Sequence, residues 1–260
     1  MVFIKKILYR TLSQRSYLKL LNTSFLLLYK TGLLKSQEAY RYHYFAKNLI
    51  SKGDTVLDIG ANLGYYSNLF IKWIGPRGKL YSVEPVKPFQ EILHWKLDKY
   101  PNVIIFPYAL GNEEKKITLV IPVGHAYLKT GLPHVLEEKE SGQIESYQHS
   151  FDAEMKIPSK LFASVGQVNF IKCDIEGYEE YVLPEMKGII ETYLPIVQVE
   201  TWGTHKKAVD ELFSSLGYNQ YQLQDNKLVL FKNLSASQGD DYIFIHQGNE
   251  KAMSKVKKLF

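Results

Sequence analysis

Asp58, Gly60, Asn62 and Gly64 lie in the stretch VLDIGANLGYYS, residues 56–67, with the types and spacing of a nucleotide-binding turn. Two glycines four apart allow a tight strand-to-helix turn, because glycine tolerates positive φ. A dinucleotide calls for G-x-G-x-x-G, whose second glycine lets backbone approach the pyrophosphate. Here Asn62 sets a side chain where close phosphate approach wants none. Asp58, two residues before the first glycine, would repel a pyrophosphate and attract an ammonium or sulfonium group. The pattern favours S-adenosylmethionine, which has no phosphate and carries both cations. Glu84 follows 24 residues after Gly60, where a carboxylate can accept both ribose hydroxyls, a contact open to either cofactor. The plain alternative is that Asp58 and Glu84 only cap strand ends.

Methyl transfer from a sulfonium to a hydroxyl is an in-line displacement. It needs alignment of oxygen, carbon and sulfur and removal of the hydroxyl proton. The donor arrives charged and leaves neutral, so no metal is required. Catalytic candidates are Asp174 and Glu176, in VNFIKCDIEG. They share one side if a strand continues through them and diverge if a turn intervenes. Paired carboxylates can push one pKa upward, giving a base nearer neutrality. Asp174 is placed near the methionine moiety or the acceptor hydroxyl, and Glu176 orients backbone or substrate. Alternatively Glu176 caps the following turn and helix. Glu200, ending PIVQVE, is a candidate for substrate contact. His125, Tyr127 and His134 are further substrate-binding candidates, and His125 or His134, in the insertion, could be the base instead of Asp174; His205 is weighed beside them. Each histidine can equally be structural. His125, Asp174 and Glu200 lack metal-ligand spacing, so no metal is expected. Tyr65 and Tyr66 could stack on a sugar or adenine ring. Cys173 reads as a small core residue.

These residues need a frame. DTVLDIG (54–60), KLYSVEP (79–85), NVIIFPYALG (102–111), VNFIKCDIEG (168–177) and PIVQVE (195–200) are nearly continuous apolar runs. Helical patterns alternate with them, in GYYSNLFIKWIG and PFQEILHWKLDKY. That predicts an α/β protein with a parallel sheet covered on both faces. Ligands bind such sheets outside the C-terminal strand ends, where chain order reverses. Ala109 and Leu110, closing the third run, complete the cofactor-binding candidates. The interval 112–167 opens with KKITLVIP, which alternates like an exposed strand. Its length and variety predict a functional insertion that overhangs the site as a lid. After residue 200 come a helix over about 204–216 and then YNQYQLQ, KLVLFKN and DYIFIHQ. The last two read as strands joined without a helix, hence one antiparallel member near an edge. The tail KAMSKVKKLF is predicted to fray.

The chain has 260 residues, 45% hydrophobic and 23% charged, the composition of one globular domain with a full core. A single cysteine allows no internal disulfide or cysteine metal cluster, which fits a cytoplasmic setting. Net charge is +5, yet residues 1–50 carry nine basic residues against Glu38, or +8, leaving −3 for the rest. The arm reads as two or three helices with a break near Thr31-Gly32. Its charge suits a membrane surface, a lipid-linked substrate or nucleic acid, or simply a solvated face. Ile4, Ile7, Leu8 and Leu12 share one helical side opposite Lys5, Lys6 and Arg10. No signal peptide is read, and SFLLLY (24–29) is far too short to span a bilayer. A nucleic-acid domain carries its basic face on the folded core; here the core is acidic, so no nucleic-acid partner is expected.

VLDIGANLGYYS, VEP, NVIIFPYALGNEEKKITL and FIKCDIEGYEEYVLPEM resemble the FkbM family of S-adenosylmethionine-dependent methyltransferases. The similarity covers about residues 50–200, and the D-x-x-G-Y-E element at Asp174, Gly177, Tyr178 and Glu179 is the more specific part. The resemblance implies the seven-stranded, Rossmann-like class I methyltransferase sheet, with helices on both faces and its last strand antiparallel. It also implies an O-methyltransferase acting on hydroxyls of natural products or of sugars in glycans. It says nothing of the N-terminal helices. The expected organisation is a basic helical arm over 1–50, a methyltransferase domain over 51–250 with the insertion 112–167 as substrate lid, and a basic tail over 251–260. The leading expectation is methylation of a sugar hydroxyl on a glycan or glycolipid precursor, at the inner face of the membrane. A methyltransferase for a small secondary metabolite, an NAD-dependent oxidoreductase and a non-catalytic nucleic-acid binder are the alternatives.

Overall fold

The computed structural model describes residues 2–122, 130, 133–136, 147–231, 237 and 239–256. Among these, the strands are β1 (Thr55–Ile59), β2 (Lys79–Val83), β3 (Val103–Phe106), β4 (Ala109–Leu110), β5 (Lys115–Pro122), β6 (His134–Val135), β7 (Tyr147–Lys156), β8 (Phe170–Cys173), β9 (Ile196–Glu200), β10 (Tyr218–Gln224), β11 (Lys227–Phe231) and β12 (Asp241–His246). The α-helices are α1 (Val2–Thr11), α2 (Gln14–Thr31), α3 (Arg41–Phe45), α4 (Ser67–Ile74), α5 (Lys87–Leu97), α6 (Pro158–Leu161), α7 (Glu179–Glu185), α8 (Lys187–Tyr193), α9 (His205–Ser215) and α10 (Glu250–Val256).

The main sheet has the order β11-β10-β12-β9-β8-β1-β2-β3. β3, β2, β1, β8 and β9 pair in parallel. β12 lies antiparallel between β9 and β10, and β11 is antiparallel to β10. The sheet thus has eight strands where seven were expected, and two run against the rest where one was expected. The added strand comes from a hairpin. Asp225 and Asn226 have φ of 48° and 63°, the left-handed pair that closes a two-residue loop. KLVLFKN therefore folds back on YNQYQLQ, and DYIFIHQ inserts inside the sheet.

Strand side chains alternate, and both faces are apolar because both are covered. Val56, Leu80, Phe170, Ile196 and Ile243 face α3, α4 and α10, in one cluster with Phe45, Phe70, Ile74 and Val256. Leu57, Tyr81, Ile171, Val197 and Phe244 face the opposite layer, with Val182, Ile190, Val209 and Phe213. Each fully buried side chain of this size contributes about 1.5–3 kcal/mol. The first face carries one polar row near the strand ends. Ser82, Asp58, Lys172 and Gln198 are direct register neighbours across β2, β1, β8 and β9, and all four are buried.

The arm packs on the domain. α2 ends where Gly32, at φ 79°, caps it with N–H bonds to Leu28 and Tyr29 carbonyls. Tyr17 and Leu18 are fully buried with Leu63, Phe89 and Ile92, and Leu8 and Leu12 pack against them. On the apolar side of α1, Leu8 and Leu12 are thus taken up by the protein itself, and Ile7 is left 46% exposed. Tyr42 of α3 pins the arm to the sheet: its hydroxyl donates to the Asp241 carbonyl at 2.7 Å and accepts from Leu223 N–H at 2.9 Å. The tail does not fray through residue 256. Asn249 accepts the Ala252 N–H at 2.9 Å, and Ala252 and Val256 are buried. No helix among the described residues is long and apolar enough to cross a membrane.

β5, β6 and β7, from the interval 112–167, join β4 in a second sheet of order β4-β7-β5-β6. Its long β5–β7 ladder spans Lys115↔Met155 to Pro122↔Tyr147.

Candidate active site

Chain order reverses between β1 and β8, so the cleft outside their ends is the expected binding place. The turn after β1 is shaped by close approach. Gly60 has φ 77°, and a Cβ there would lie 1.8 Å from the Asp174 carbonyl oxygen. No other residue fits without moving β8. Asn62 also sits in the left-handed region, at φ 52°, a strained state for a non-glycine residue. Its N–H donates to Glu84 Oε2 at 2.7 Å, and its Nδ2 donates to the Thr130 carbonyl at 2.7 Å. Glu84 Oε1 accepts the Val86 N–H at 2.8 Å. Both Glu84 oxygens therefore hold backbone, beyond the ribose role read from sequence. Each retains a lone-pair site for a hydroxyl. Burial pushes the Glu84 carboxyl up to about 7, against the pull of those N–H groups.

Two expected ligands do not reach the cavity. Asp58 is fully buried below the turn, in the polar row, where Ser67 Oγ donates to it at 2.5 Å. Burial raises its pKa, partly offset by Lys172. It shares strand parity with Val56, so its side chain meets the covered face. Gly64 serves packing instead: a Cβ there would come 2.7 Å from Leu93 Cδ2 on α5.

β8 stops at Cys173, so Asp174 and Glu176 occupy a turn and do not share a strand face. Glu176 has φ 56°. The capping task considered for Glu176 belongs to Glu179, whose carboxylate accepts the N–H groups of Ile175 at 2.7 Å and Gly177 at 3.1 Å. Asp174 accepts from Lys172 Nζ at 2.8 Å, and Nζ also donates to the Gly60 carbonyl at 3.2 Å. Burial works against the Lys172 ammonium, but Asp174, Asp58 and Glu200 hold it above its ordinary value. Lys172 thus sits as one cation among many carboxylates. Burial, then Asp174, push Glu176 up to about 8. Burial and Asp174 push Glu200 up to about 9 and Asp241 up to about 7.

A cavity of about 320 Å³ joins these groups, a size in the usual range for small-ligand sites. Gly60, Asn62, Glu84, Ala109, Leu110, His134, Asp174, Glu176 and Glu200 all line it. So do Tyr178, known from sequence only as part of the D-x-x-G-Y-E element, and Phe89 and Tyr108, which the sequence did not single out as site residues. Leu119, His134 and Val135 bring the second sheet to its wall. His125 and Tyr127 lie outside the described residues. Tyr65 and Tyr66 pack inward, on Phe25 at 4.6 Å and on His43 at 3.9 Å between ring centroids. His205 lies outside the cavity wall, its Nδ1 2.8 Å from Glu180 Oε1. Among the described residues, no group of three or more His, Cys, Asp or Glu could hold a metal ion. Lys172 did leave a sequence signal, a charge inside the apolar run FIKC.

The cavity's chemistry fits an adenosyl sulfonium. Glu84, at the β2 end, would take ribose hydroxyls, Phe89, Ala109 and Leu110 would wall a base, and the carboxylates would face the cation. Strand order and site together define a class I methyltransferase fold. The FkbM methyltransferase domain matches residues 58–223, and the chain belongs to that family. Its cofactor is S-adenosylmethionine and its reaction is methyl transfer. No curated protein matches the chain. Among solved structures, the methyltransferase FkbM of Methylobacillus flagellatus aligns at 12% identity and TM-score 0.46, over 74% of this chain and 43% of that one. Aeropyrum pernix fibrillarin, solved with S-adenosyl-L-methionine, aligns at 13% identity and TM-score 0.41, over 75% and 67%. An S-adenosylmethionine-dependent O-methyltransferase of Thermotoga maritima aligns at 11% identity and TM-score 0.40, over 78% and 63%. The chain spans less than half the length of the Methylobacillus protein.

Proposed function

We propose that the chain is an O-methyltransferase whose acceptor is a hydroxyl on a sugar of a glycan or glycolipid precursor. The observation that carries this reading is Glu176, a strained carboxylate on the cavity wall, raised to about 8 by burial and Asp174. A base of that strength suits proton removal from a hydroxyl near neutral pH. The cofactor supplies an electrophilic methyl group. Glu84 and the Gly60 turn bind and orient; Asp174, held by Lys172, fixes the edge of the cavity; Glu176 takes the acceptor proton; Glu200 contacts the acceptor. The second sheet acts as the lid that chooses it.

The arm's part is peripheral. Leu27 and Leu33 are 61% and 64% exposed, and Lys30 and Lys35 lie close to them in the chain. Apolar and basic groups together suit an anionic membrane surface or a lipid-linked acceptor, which favours work at the inner face of a membrane. A small secondary metabolite remains the second acceptor class.

The test is transfer of labelled methyl from S-adenosylmethionine to sugar-nucleotide, lipid-linked and free oligosaccharide acceptors. Label in an alkali-stable ether on a sugar is expected. Label only on nitrogen, sulfur or carbon would overturn the reading.

A further inference from the structure

Behind the carboxylates lies a second cavity of about 60 Å³. The arm forms one wall through Ala39, Tyr42 and His43, and the sheet forms the other through Lys172, Gln198 and Asp241. Asp174 and Glu200 border both this cavity and the larger one, so the two meet at these carboxyls.

Two buried polar atoms in its wall lack partners, His43 Nδ1 and Gln198 Oε1. Gln198 is only 2% exposed. Its amide nitrogen already donates to the Tyr66 hydroxyl at 3.0 Å, which leaves the oxygen as its open group. Burying such an atom unpaired costs about 1–3 kcal/mol. The cavity is polar and has room for a few waters at about 15 Å³ of occupied volume each, so its unpaired atoms await a guest.

The guest's chemistry follows from the wall. Gln198 Oε1 and the Asp174 carboxylate, paired with Lys172, accept hydrogen bonds, while burial and Asp174 favour the protonated form of Glu200 and Asp241. The imidazole of His43 is kept neutral by burial and by Lys172, so its nitrogen can take either role. The Lys172 ammonium is already committed to Asp174 and Gly60. A fitting group must donate, as a hydroxyl or an ammonium does. A phosphate or carboxylate would lie against Asp174 and oppose the ionisation of Glu200 and Asp241, whereas a hydroxyl or ammonium would not. The volume admits a hydroxymethyl group or a hydroxyl pair and excludes a sugar ring.

Resting on the O-methyltransferase reading, we propose that this cavity seats a hydroxyl-bearing flank of the methyl acceptor, with His43 and Gln198 selecting neutral or cationic polyols over acidic ones. The arm is then part of the acceptor site. His43 is firmly held there by its stack on Tyr66 and by the Tyr42 hydroxyl, which ties the arm to β10 and β12.

The full chain, saturated with S-adenosylhomocysteine, is titrated with methyl glucopyranoside, glucosamine and glucuronate by ligand-observed NMR. The first two are expected to bind, and glucuronate at least about tenfold more weakly. His43→Phe keeps the stack on Tyr66 and removes Nδ1; Gln198→Leu removes the amide. Each is expected to weaken the glucoside by about threefold to tenfold, the worth of one hydrogen bond. S-adenosylhomocysteine affinity should stay unchanged, which also shows that the variants fold. Glucoside affinity unchanged in both variants, or glucuronate binding as tight as the glucoside, overturns the role of this cavity alone. Absence of all sugar binding from the wild-type chain overturns the cavity's role together with the sugar-hydroxyl acceptor.

Discussion

The two ends of the active-site cleft treat their polar groups in opposite ways. At the β1–β2 end, the turn's backbone groups are satisfied within the protein, though Asp58 Oδ1 below the turn is buried unpaired. Glu84 holds two backbone N–H groups, and Gly60 and Ala61 both donate to the Val83 carbonyl at 3.1 and 2.9 Å. At the β8–β9–β12 end, Asp174, Glu176, Glu200 and Asp241 gather about Lys172, the last three with their pKa values pushed upward, and Gln198 and His43 keep unpaired atoms. The first end is a finished cradle that recognises one fixed ligand. The second stores electrostatic and hydrogen-bonding potential, which only a ligand can relieve. On the proposed function, cofactor binding and acceptor chemistry are separated on one sheet edge.

The harshest way to break that contrast is to remove Lys172, the cation at the second end among the described residues. Lys172 is 4% exposed, and deleting one partner of a buried charge set typically costs about 3–5 kcal/mol. Lys172→Met should lower stability by that order in a denaturant titration at pH 8, and by less at pH 5.5, where the neighbouring carboxyls hold their protons. An equal loss at both pH values would show that Lys172 acts through packing and not charge. Next in size is Glu84→Ala at the finished end. It strips two backbone N–H groups of their acceptor and removes the ribose contact. S-adenosylhomocysteine affinity should fall about 100-fold or more by calorimetry, equivalent to about 2.7 kcal/mol. A loss under fivefold would mean that the cradle does not depend on Glu84.

The same contrast decided what could be read from sequence. The finished end is local: the turn at Gly60 and the strand-end Glu84 follow one another in the chain, and strand parity with a known spacing places them. Asp58 was misplaced although its parity with Val56 signals an inward side chain; a carboxylate at a strand end looks like a ligand until the covering helix is known. The open end is assembled from distant parts. His43 comes from the arm, Gln198 from β9 and Asp241 from β12, and nothing in local pattern links them. Asp241 reaches the site only because β12 inserts antiparallel beside β9, facing Glu200 in register. The extra strand β11 was legible in principle, since Asp225-Asn226 between two apolar runs is a hairpin signal. The pattern was assigned to the wrong pair of strands.

Proton transfer gives a sharper test than stability. Glu176 is raised to about 8, so if it is the base, kcat/KM should rise with pH through about 8 as its proton leaves. Glu176→Gln should lower turnover by about 10²- to 10⁴-fold, the usual contribution of a positioned base, while S-adenosylmethionine affinity changes little. Loss of turnover with the alkaline limb retained would move the base to Asp174 or Glu200.

The smallest expected effect concerns Glu200 and carries its own sign. Its carboxyl is raised from 4.5 to about 9, so the folded chain holds a proton that the unfolded chain releases. That contribution to stability is fully present below about 4.5 and is lost as pH rises through about 9. Glu176 and Asp241, raised for the same reasons, act in the same direction. The ligand-free protein should therefore melt at a lower temperature at pH 9 than at pH 6. Glu200→Gln keeps the shape and removes one of the titrating groups, so its drop over that interval should be smaller by about 2 °C or more. Saturating S-adenosylmethionine should also shrink the wild-type drop, because a cation beside the cluster favours the ionised carboxylates. Neutral S-adenosylhomocysteine should do so less. If both ligands flatten the profile equally, the stored potential at the open end is relieved by burial of the ligand and not by its charge.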